Sequence, residues 1–245
     1  MKKSIAVFAI AVIAAAAAHA QQAEKPDPAR VAYDEADAYV IADIKSNGWA
    51  NADDHLARYD QVLADYPDAP RDIMLAVQRS RFNSMFRAKD YAAAISAGEA
   101  FLRDYPDALP LHSANICMHV GIALEQQGKL AEAQAAYERA LADYPDALQT
   151  LRAEIQSRLA GVLDKRGEKS AAQSAYMTLV TNYAWYCSAK DENSVVWKAF
   201  DKVNPMLLST EDYRAFLEAT IKATRATEEN ARFLGRVKSE LEKVK

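Results

Sequence analysis

The chain has 245 residues, of which 51% are hydrophobic, with 34 acidic and 30 basic residues and a formal net charge of −4. This acidic balance argues against nucleic-acid binding, which rests on clustered Lys and Arg. The sequence after residue 20 contains no Gly-rich phosphate loop, no His-Glu-x-x-His and no Gly-x-Ser-x-Gly. No common catalytic motif therefore predicts an enzyme.

The N-terminus predicts a secretory signal peptide at residues 1–20. Two lysines precede an apolar run at 5–18, and small residues precede a cleavage point after Ala20. That run is about 14 residues long, whereas about 20 span a bilayer. An uncleaved anchor is the alternative. We expect a periplasmic or secreted protein with a charge of −6 once Lys2 and Lys3 are removed, no transmembrane segment after cleavage, and a disordered tail at 21–27.

The string Tyr-Pro-Asp-Ala occurs three times, and its tyrosines, Tyr66, Tyr105 and Tyr144, follow one another at intervals of 39 residues. One further interval reaches Tyr183. Self-similarity at a fixed period of this size is typical of solenoid folds. Because proline has no amide donor and restricts the residue before it, each tyrosine is expected to end a helix.

Each 39-residue unit divides into two predicted helices. The first helices are predicted at 28–47, 69–87, 108–127 and 147–166, and the second helices at 51–65, 90–104, 129–143 and 169–182. Asp27 and Pro28 are suited to the start of the first helix. Gly128 and Gly167 are suited to turns with positive φ after a helix. We expect the aspartate after each recurring proline to cap the next helix, namely Asp68, Asp107 and Asp146.

The third unit resembles a tetratricopeptide repeat. Its matching residues are Val120, Gly121, Leu124, Gly128, Leu130, Ala133, Tyr137, Ala140 and Pro145. The fourth unit matches less fully. The second unit has Phe82 where a small residue is usual, and the first has Asp43 at that place and His55 in place of the packing alanine. The resemblance implies an all-α fold, a right-handed superhelical solenoid of antiparallel helix pairs with four repeats at 28–183.

In this family the first helices line a concave groove that binds peptides or proteins. By register, the residues that would hold a peptide carboxylate are Arg79, Asn83, His119 and Arg158, and those that would line the same groove are Phe86, Asn115, Met118 and Ile122. Glu154 takes a place that is usually basic. Arginine suits bidentate carboxylate binding. The alternative is that both arginines are ordinary solvated side chains.

The period is longer than the roughly 34 residues usual for this family. The added residues and the Tyr-Pro junction are similar to the repeats of bacterial cell-envelope proteins, such as the outer-membrane barrel-assembly lipoprotein and the Tol–Pal-associated division coordinator. This resemblance implies a non-catalytic scaffold for a protein or peptide partner in envelope assembly or maintenance. An enzyme accessory or an unrecognised periplasmic hydrolase is the alternative. HEAT-type repeats, at about 40–47 residues, are the structural rival.

Residues 184–245 are predicted to form a helical cap on the last repeat. Aromatic residues are frequent there, and Ser209 begins a capping box that opens one long helix or two shorter ones. Leu234, Val237, Leu241 and Val244 have heptad-like spacing. They predict either a docked helix or, as the alternative, a homo-oligomer through this C-terminal helix.

His112, Cys117 and His119 are close in sequence, but a helix separates their side chains too widely for one metal ion. We therefore expect no metal and no cofactor. Cys117 and Cys187 lie in units that stacking would keep farther apart than the roughly 7 Å limit for a disulfide. We expect both to be buried free thiols.

Overall fold

The computed structural model describes residues 25–186, 194–228 and 230–244, which form helices and no strands. This part of the chain is an all-α helical repeat solenoid. The helices of the repeats are α1 (Pro28–Asn47), α2 (Ala52–Asp65), α3 (Arg71–Arg87), α4 (Tyr91–Asp104), α5 (Pro110–Gln126), α6 (Leu130–Asp143), α7 (Gln149–Lys165) and α8 (Lys169–Tyr183). The predicted helices are thus confirmed to within two residues at each end. The predicted signal peptide, residues 21–24 and Cys187 lie outside the described residues.

The 39-residue period is a period of helix pairs. Helices α2, α4, α6 and α8 begin at Ala52, Tyr91, Leu130 and Lys169, each 39 residues after the one before. The turns inside the pairs recur in the same way, with positive φ at Lys89, Gly128 and Gly167. Positive φ at both glycines confirms their predicted place after a helix. The described residues divide into two compact units, the first ending at Val77 and the second beginning at Gln78.

The recurring Tyr-Pro-Asp-Ala string is a closed turn rather than a helix cap. In each copy the alanine amide donates to the tyrosine carbonyl three residues earlier, at 3.1 Å for Ala69, 3.0 Å for Ala108 and 3.2 Å for Ala147. The next helix begins later, and the N-cap residues of α5 and α7 are Leu109 and Leu148, without a side-chain cap bond. The prediction that aspartates occupy this cap was wrong. The aspartate lies inside the turn, which ends before the helix starts.

The first unit has its own apolar core between α1, α2 and the start of α3. Its buried residues are Ala29, Tyr33, Ala36, Val40, Tyr59, Val62, Ile73 and Val77. The side chain of Asp27 caps α1 by accepting from the amide of Ala29 at 2.8 Å, with Pro28 as the first helical residue. This N-terminus was predicted correctly.

The unusual polar residues of the first repeat form a pair. The Nε2 of His55 lies 2.7 Å from the Oδ2 of Asp43, and the His55 side chain is fully buried. Asn47 and Asn51 also donate to this carboxylate. Hydrogen bonds from Asn47 and His55 lower the pKa of Asp43, so it is ionised at neutral pH. The two departures from the repeat pattern therefore compensate each other.

We predict that Asp43→Ala destabilises the protein by about 1–3 kcal/mol, because it leaves the buried His55 without its hydrogen-bond partner. Asp43→Asn, which retains an acceptor, should cost less. The double change Asp43→Gly with His55→Ala, which introduces the small residues that the third repeat has at these places, should recover part of the loss. Urea unfolding of the four proteins measures this. Equal stability of Asp43→Ala and wild type would show that the pair contributes nothing.

In two helix pairs of the second unit, an aromatic ring packs against a glycine of the other helix. A Cβ added to Gly121 of α5 would lie 2.4 Å from the Cε1 of Tyr137 in α6. In the preceding pair the sizes are exchanged, because Phe82 comes from α3 and a Cβ on Gly98 of α4 would lie 2.9 Å from its Cε2. Gly98 and Tyr137 are separated by one period. Phe82, unexpected from the family pattern, therefore fits because Gly98 has no side chain to occupy the space of its ring.

We predict that Gly121→Ala is less stable than Gly161→Ala by about 2 kcal/mol. Both glycines lie inside first helices, where alanine is intrinsically better by about 1 kcal/mol. Nothing lies within 4 Å of a Cβ on Gly161, whereas Gly121→Ala would force the buried Tyr137 to move. Thermal and urea unfolding of the two variants measures the difference. Equal stabilities would contradict the close packing at Gly121.

The C-terminal region folds as α9 (Val195–Lys202), α10 (Thr210–Ala223) and α11 (Ala231–Lys243), so its last part is two helices and not one. Ser209 caps α10 by accepting from the amide of Asp212 at 3.0 Å, as predicted. The rings of Trp197 and Phe200 pack against Phe233 with centroids at 5.2 and 5.5 Å.

The C-terminal region is joined to the last repeat by a reciprocal hydrogen-bond pair. The buried amide of Gln173 in α8 donates to the carbonyl of Asn204 at 2.9 Å and accepts from its amide at 3.0 Å. Helix α11 buries Phe233 and Val237 within the single chain, which supports the docked-helix prediction. None of the helices in the described ranges is long and apolar enough to cross a membrane.

Candidate partner-binding surface

The residues predicted to line a groove all lie in the second unit, on the part of α3 after Val77 and on α5 and α7. We call their exposed side the first-helix surface. Asn83 is exposed, and six others are half-buried: Arg79, Phe86, Asn115, His119, Ile122 and Arg158. Met118 is only 3% exposed. Its predicted place in the groove lining is corrected, because its side chain packs in the interior.

Arg79 is paired with His112, a residue that the sequence analysis considered only as a metal ligand and rejected in that role. Its Nη1 donates to the Nε2 of His112 at 2.7 Å. Since a guanidinium cannot accept, the imidazole accepts with its lone pair and carries its proton on Nδ1. Burial and the charge of Arg79 lower the pKa of His112 below its ordinary value of 6.5. The register gave no sign of this pair, because the two residues come from different repeats.

His119 lies between aromatic rings from α3. Its ring meets Phe86 edge-on with centroids 4.7 Å apart and Phe82 at 6.4 Å. Its Nδ1 donates to the carbonyl of Asn115 at 2.8 Å, which leaves Nε2 as the acceptor. Burial is the main cause that lowers the pKa of His119, and the nearby Arg87 adds to it. Three of the predicted residues, Phe86, Asn115 and His119, are therefore in contact.

Arg158 keeps hydrogen-bonding capacity. Its Nη2 lies 3.3 Å from the Oε1 of Glu154, one turn earlier on the same helix, and its side chain is 37% exposed. An ion pair of this kind on a helix surface contributes only about 0.3–0.5 kcal/mol. Within the described residues, the Nε of Arg158 is buried and has no partner. Glu154, at a usually basic position, thus partly neutralises Arg158 without occupying all its donors.

A partly buried hydrogen-bond network connects α5, α6 and α7 beside this surface. The hydroxyl of Tyr137 in α6 donates to the Oε1 of Glu125 in α5 at 2.6 Å, and Lys165 of α7 lies 2.7 Å from the Oε2 of the same carboxylate. Burial and then Glu125 raise the pKa of Tyr137, so it remains a donor at every physiological pH. Sequence reasoning missed Glu125, although its place one turn after Gly121 was a usable signal.

No metal centre is formed by the side chains that the structure describes. Groups of three or more His, Cys, Asp or Glu suited to a metal ion are absent from those residues. Cys117 is a buried free thiol, as predicted, and donates to the carbonyl of Ala136 at 3.2 Å. Its pKa is raised by burial. Arg139 donates to the sulfur of Cys117 at 3.3 Å and to the carboxylate of Glu99 at 2.7 Å. The thiol is therefore part of the packing of α5 on α6.

Comparison with known proteins agrees with this geometry. Residues 118–147, which cover most of α5, all of α6 and the turn after it, match the family model of the tetratricopeptide repeat. The chain has the fold of tetratricopeptide repeats. No curated protein matches the sequence.

Two solved structures are similar, both described as nearly identical TPR-like repeats of a Podosopora anserina kinesin light chain. One has 17% identity, a TM-score of 0.51, and covers 90% of this chain and 95% of its own. The other, a variant, has 16% identity, a TM-score of 0.51, and covers 88% and 92%. At such identities the likeness establishes the tetratricopeptide-repeat fold alone. The finer resemblance to cell-envelope repeats stays a prediction.

We predict that Met118→Ala lowers the free energy of unfolding by about 2–5 kcal/mol, because it empties a fully packed site. Asn83→Ala, on the exposed part of the same surface, should change stability by less than about 0.5 kcal/mol. Urea unfolding distinguishes them. A stability loss at Met118 no greater than at Asn83 would restore Met118 to the groove lining.

Proposed function

We propose that this protein is an exported, non-catalytic tetratricopeptide-repeat scaffold that binds a peptide or protein partner on its first-helix surface. We propose a role for it in cell-envelope assembly or maintenance, with the protein periplasmic or secreted. The repeat fold supports the scaffold role, since solenoids offer extended binding surfaces. The N-terminal sequence, with its basic start and apolar run, supports export.

The proposal rests mainly on the contrast between positions that recur and positions that do not. At one packing position the residue is kept through the second unit, as Ala94, Ala133 and Ala172. On the first-helix surface it changes at each step. One period separates Asn83 from Ile122, and one period separates His119 from Arg158. Stacking explains the first set, whereas the second set is what distinguishes this surface from that of any other repeat array.

The charge of the helices that carry this surface suggests the chemistry of the partner. The first helices of the second unit carry six basic residues, Arg79, Arg81, Arg87, Arg152, Arg158 and Lys165, against three acidic ones, Glu125, Glu154 and Asp164. The whole chain has the opposite sign, at −4. Local excess of one sign steers partners of the other. A partner segment that carries carboxylates fits best.

Apolar contacts are available beside these charges. Phe86 and Ile122 are both half-buried, and Phe86 stands in edge contact with the imidazole of His119. Binding energy at protein surfaces is concentrated in such aromatic and arginine side chains. An extended or helical segment with alternating acidic and apolar residues would match this arrangement.

We predict that the double change Arg79→Glu with Arg158→Glu weakens partner binding by at least about tenfold, because it repels a carboxylate-bearing segment. A photo-crosslinking amino acid at the exposed Asn83 would capture the partner in living cells. The double variant should lose the crosslinked product. Arg103→Glu is the matched control, since Arg103 is 69% exposed on the second helix α4.

Retention of the same product by the double variant would contradict binding on this surface. The same preparation tests export, because the processed protein should begin at Gln21 and fractionate outside the cytoplasm. An intact N-terminus in the cytoplasm would contradict the proposed location and leave the binding result to stand alone.

A further inference from the structure

We propose that the Arg79–His112 pair is a pH switch of the first-helix surface, which on acidification releases Arg79 and strengthens the binding of carboxylates. The carboxylate partner rests on the proposed function. The switch itself is a property of two side chains in the second unit.

The hydrogen bond between the pair exists in one protonation state only. Arg79 donates from Nη1 to the Nε2 of His112 across 2.7 Å, and this needs the lone pair of a neutral imidazole. A proton on Nε2 would set two donors against each other at hydrogen-bond distance. In the described part of the chain the Nδ1 of His112 is buried and has no partner. Of the two ring nitrogens of His112, Nε2 is therefore hydrogen-bonded, and its donor is Arg79.

The charges around the two histidines of α5 have one prevailing sign. Among the described residues, Arg79 of α3 is the charged side chain that shifts the pKa of His112, and it lowers it. His119, two turns further along, faces Arg87 of α3 and Arg158 of α7, with Glu154 of α7 as its opposing carboxylate. The surface therefore holds its imidazoles neutral beside cations, and an anion from outside would reverse that balance.

Protonation would convert the pair from a closed to an open state. Burial, and then Arg79, place the pKa of His112 below its ordinary value of 6.5, so the ring is neutral near pH 7. As the pH falls below the pKa of His112, a proton on Nε2 breaks the bond and frees the Nη1 donor of Arg79. A carboxylate can then accept from both side chains at once. Because linkage is reciprocal, carboxylate binding must raise the pKa of His112 by the same coupling.

Nuclear magnetic resonance titration of the full mature chain, with labelled histidine and arginine side chains, tests the switch directly. Between pH 8 and 4.5, the His112 ring should titrate with a midpoint below 6.5, and the Nε–H signal of Arg79 should move in the same step. Arg79→Gln removes the charge and should raise the midpoint. Arg87→Gln is the matched control, which should raise the midpoint of His119 and leave that of His112 unchanged.

A His112 midpoint at 6.5 that is unchanged in Arg79→Gln would overturn the proposal. An Arg79 signal that does not move during the His112 titration would also overturn it. The wild-type titration suffices if the variant fails to fold, because coincidence of the two signals is measured in one protein. The pair is then accepted or rejected without any partner.

A hexaglutamate peptide, with hexaglutamine as its uncharged control, tests the coupling to binding. Glutamate, with a pKa of about 4.3, stays ionised at pH 5.5. The peptide should bind at least about fivefold more tightly at pH 5.5 than at 7.5. His112→Gln should abolish that difference. Equal affinity at both pH values would reject the coupling. No binding at either pH would contradict the carboxylate partner of the proposed function, while the titration still decides the switch.

Discussion

The close approach of the two helices in each pair is the constraint on which the rest of this structure depends. In two pairs one large ring fills the space between the helices and a glycine faces it, because a well-packed interior tolerates neither a void nor an added methyl group. Tyr137 against Gly121 meets this requirement in one pair, and Phe82 against Gly98 meets it in the reverse direction in another. The volumes of the two facing side chains must together fill the space, and either helix can supply the ring.

Because either helix of a pair can supply the ring, the sequence predicted the helices but not all of their contacts. Helix positions were predictable because proline and the positive-φ turn residues act locally and recur at one period. The partners of Phe82 and His112 were not predictable, since each contact joins residues that the repeat register treats separately. Met118 shows the same limit. Register placed it on a binding face, but a side chain at the margin of a helix face turns inward when its neighbours leave room, and it is 3% exposed.

The candidate surface follows from the same division between repeated and unrepeated residues. Packing fixes the backbone of α3, α5 and α7, so side chains between repeats can pair without any change of fold. Arg79 with His112 and Phe86 with His119 are such pairs. Their register positions were predictable in part, but their mutual contacts and protonation states were not, because those depend on distances of a few tenths of an ångström that no spacing rule contains.

The Asp43–His55 pair makes the first helix pair of this protein impossible to exchange with the others. In a repeat array each helix pair contacts only its neighbours, so similar pairs are interchangeable in principle. Here a copy of α1 set against α4 would place the carboxylate of Asp43 on Ala94, and a copy of α2 set against α5 would press His55 onto Gly121. Each helix carries one member of a hydrogen-bonded pair, and the buried His55 has Asp43 as the partner of its Nε2. Exchanging either helix alone would therefore leave the other without this hydrogen-bond partner, so the two helices of the first pair are matched to each other.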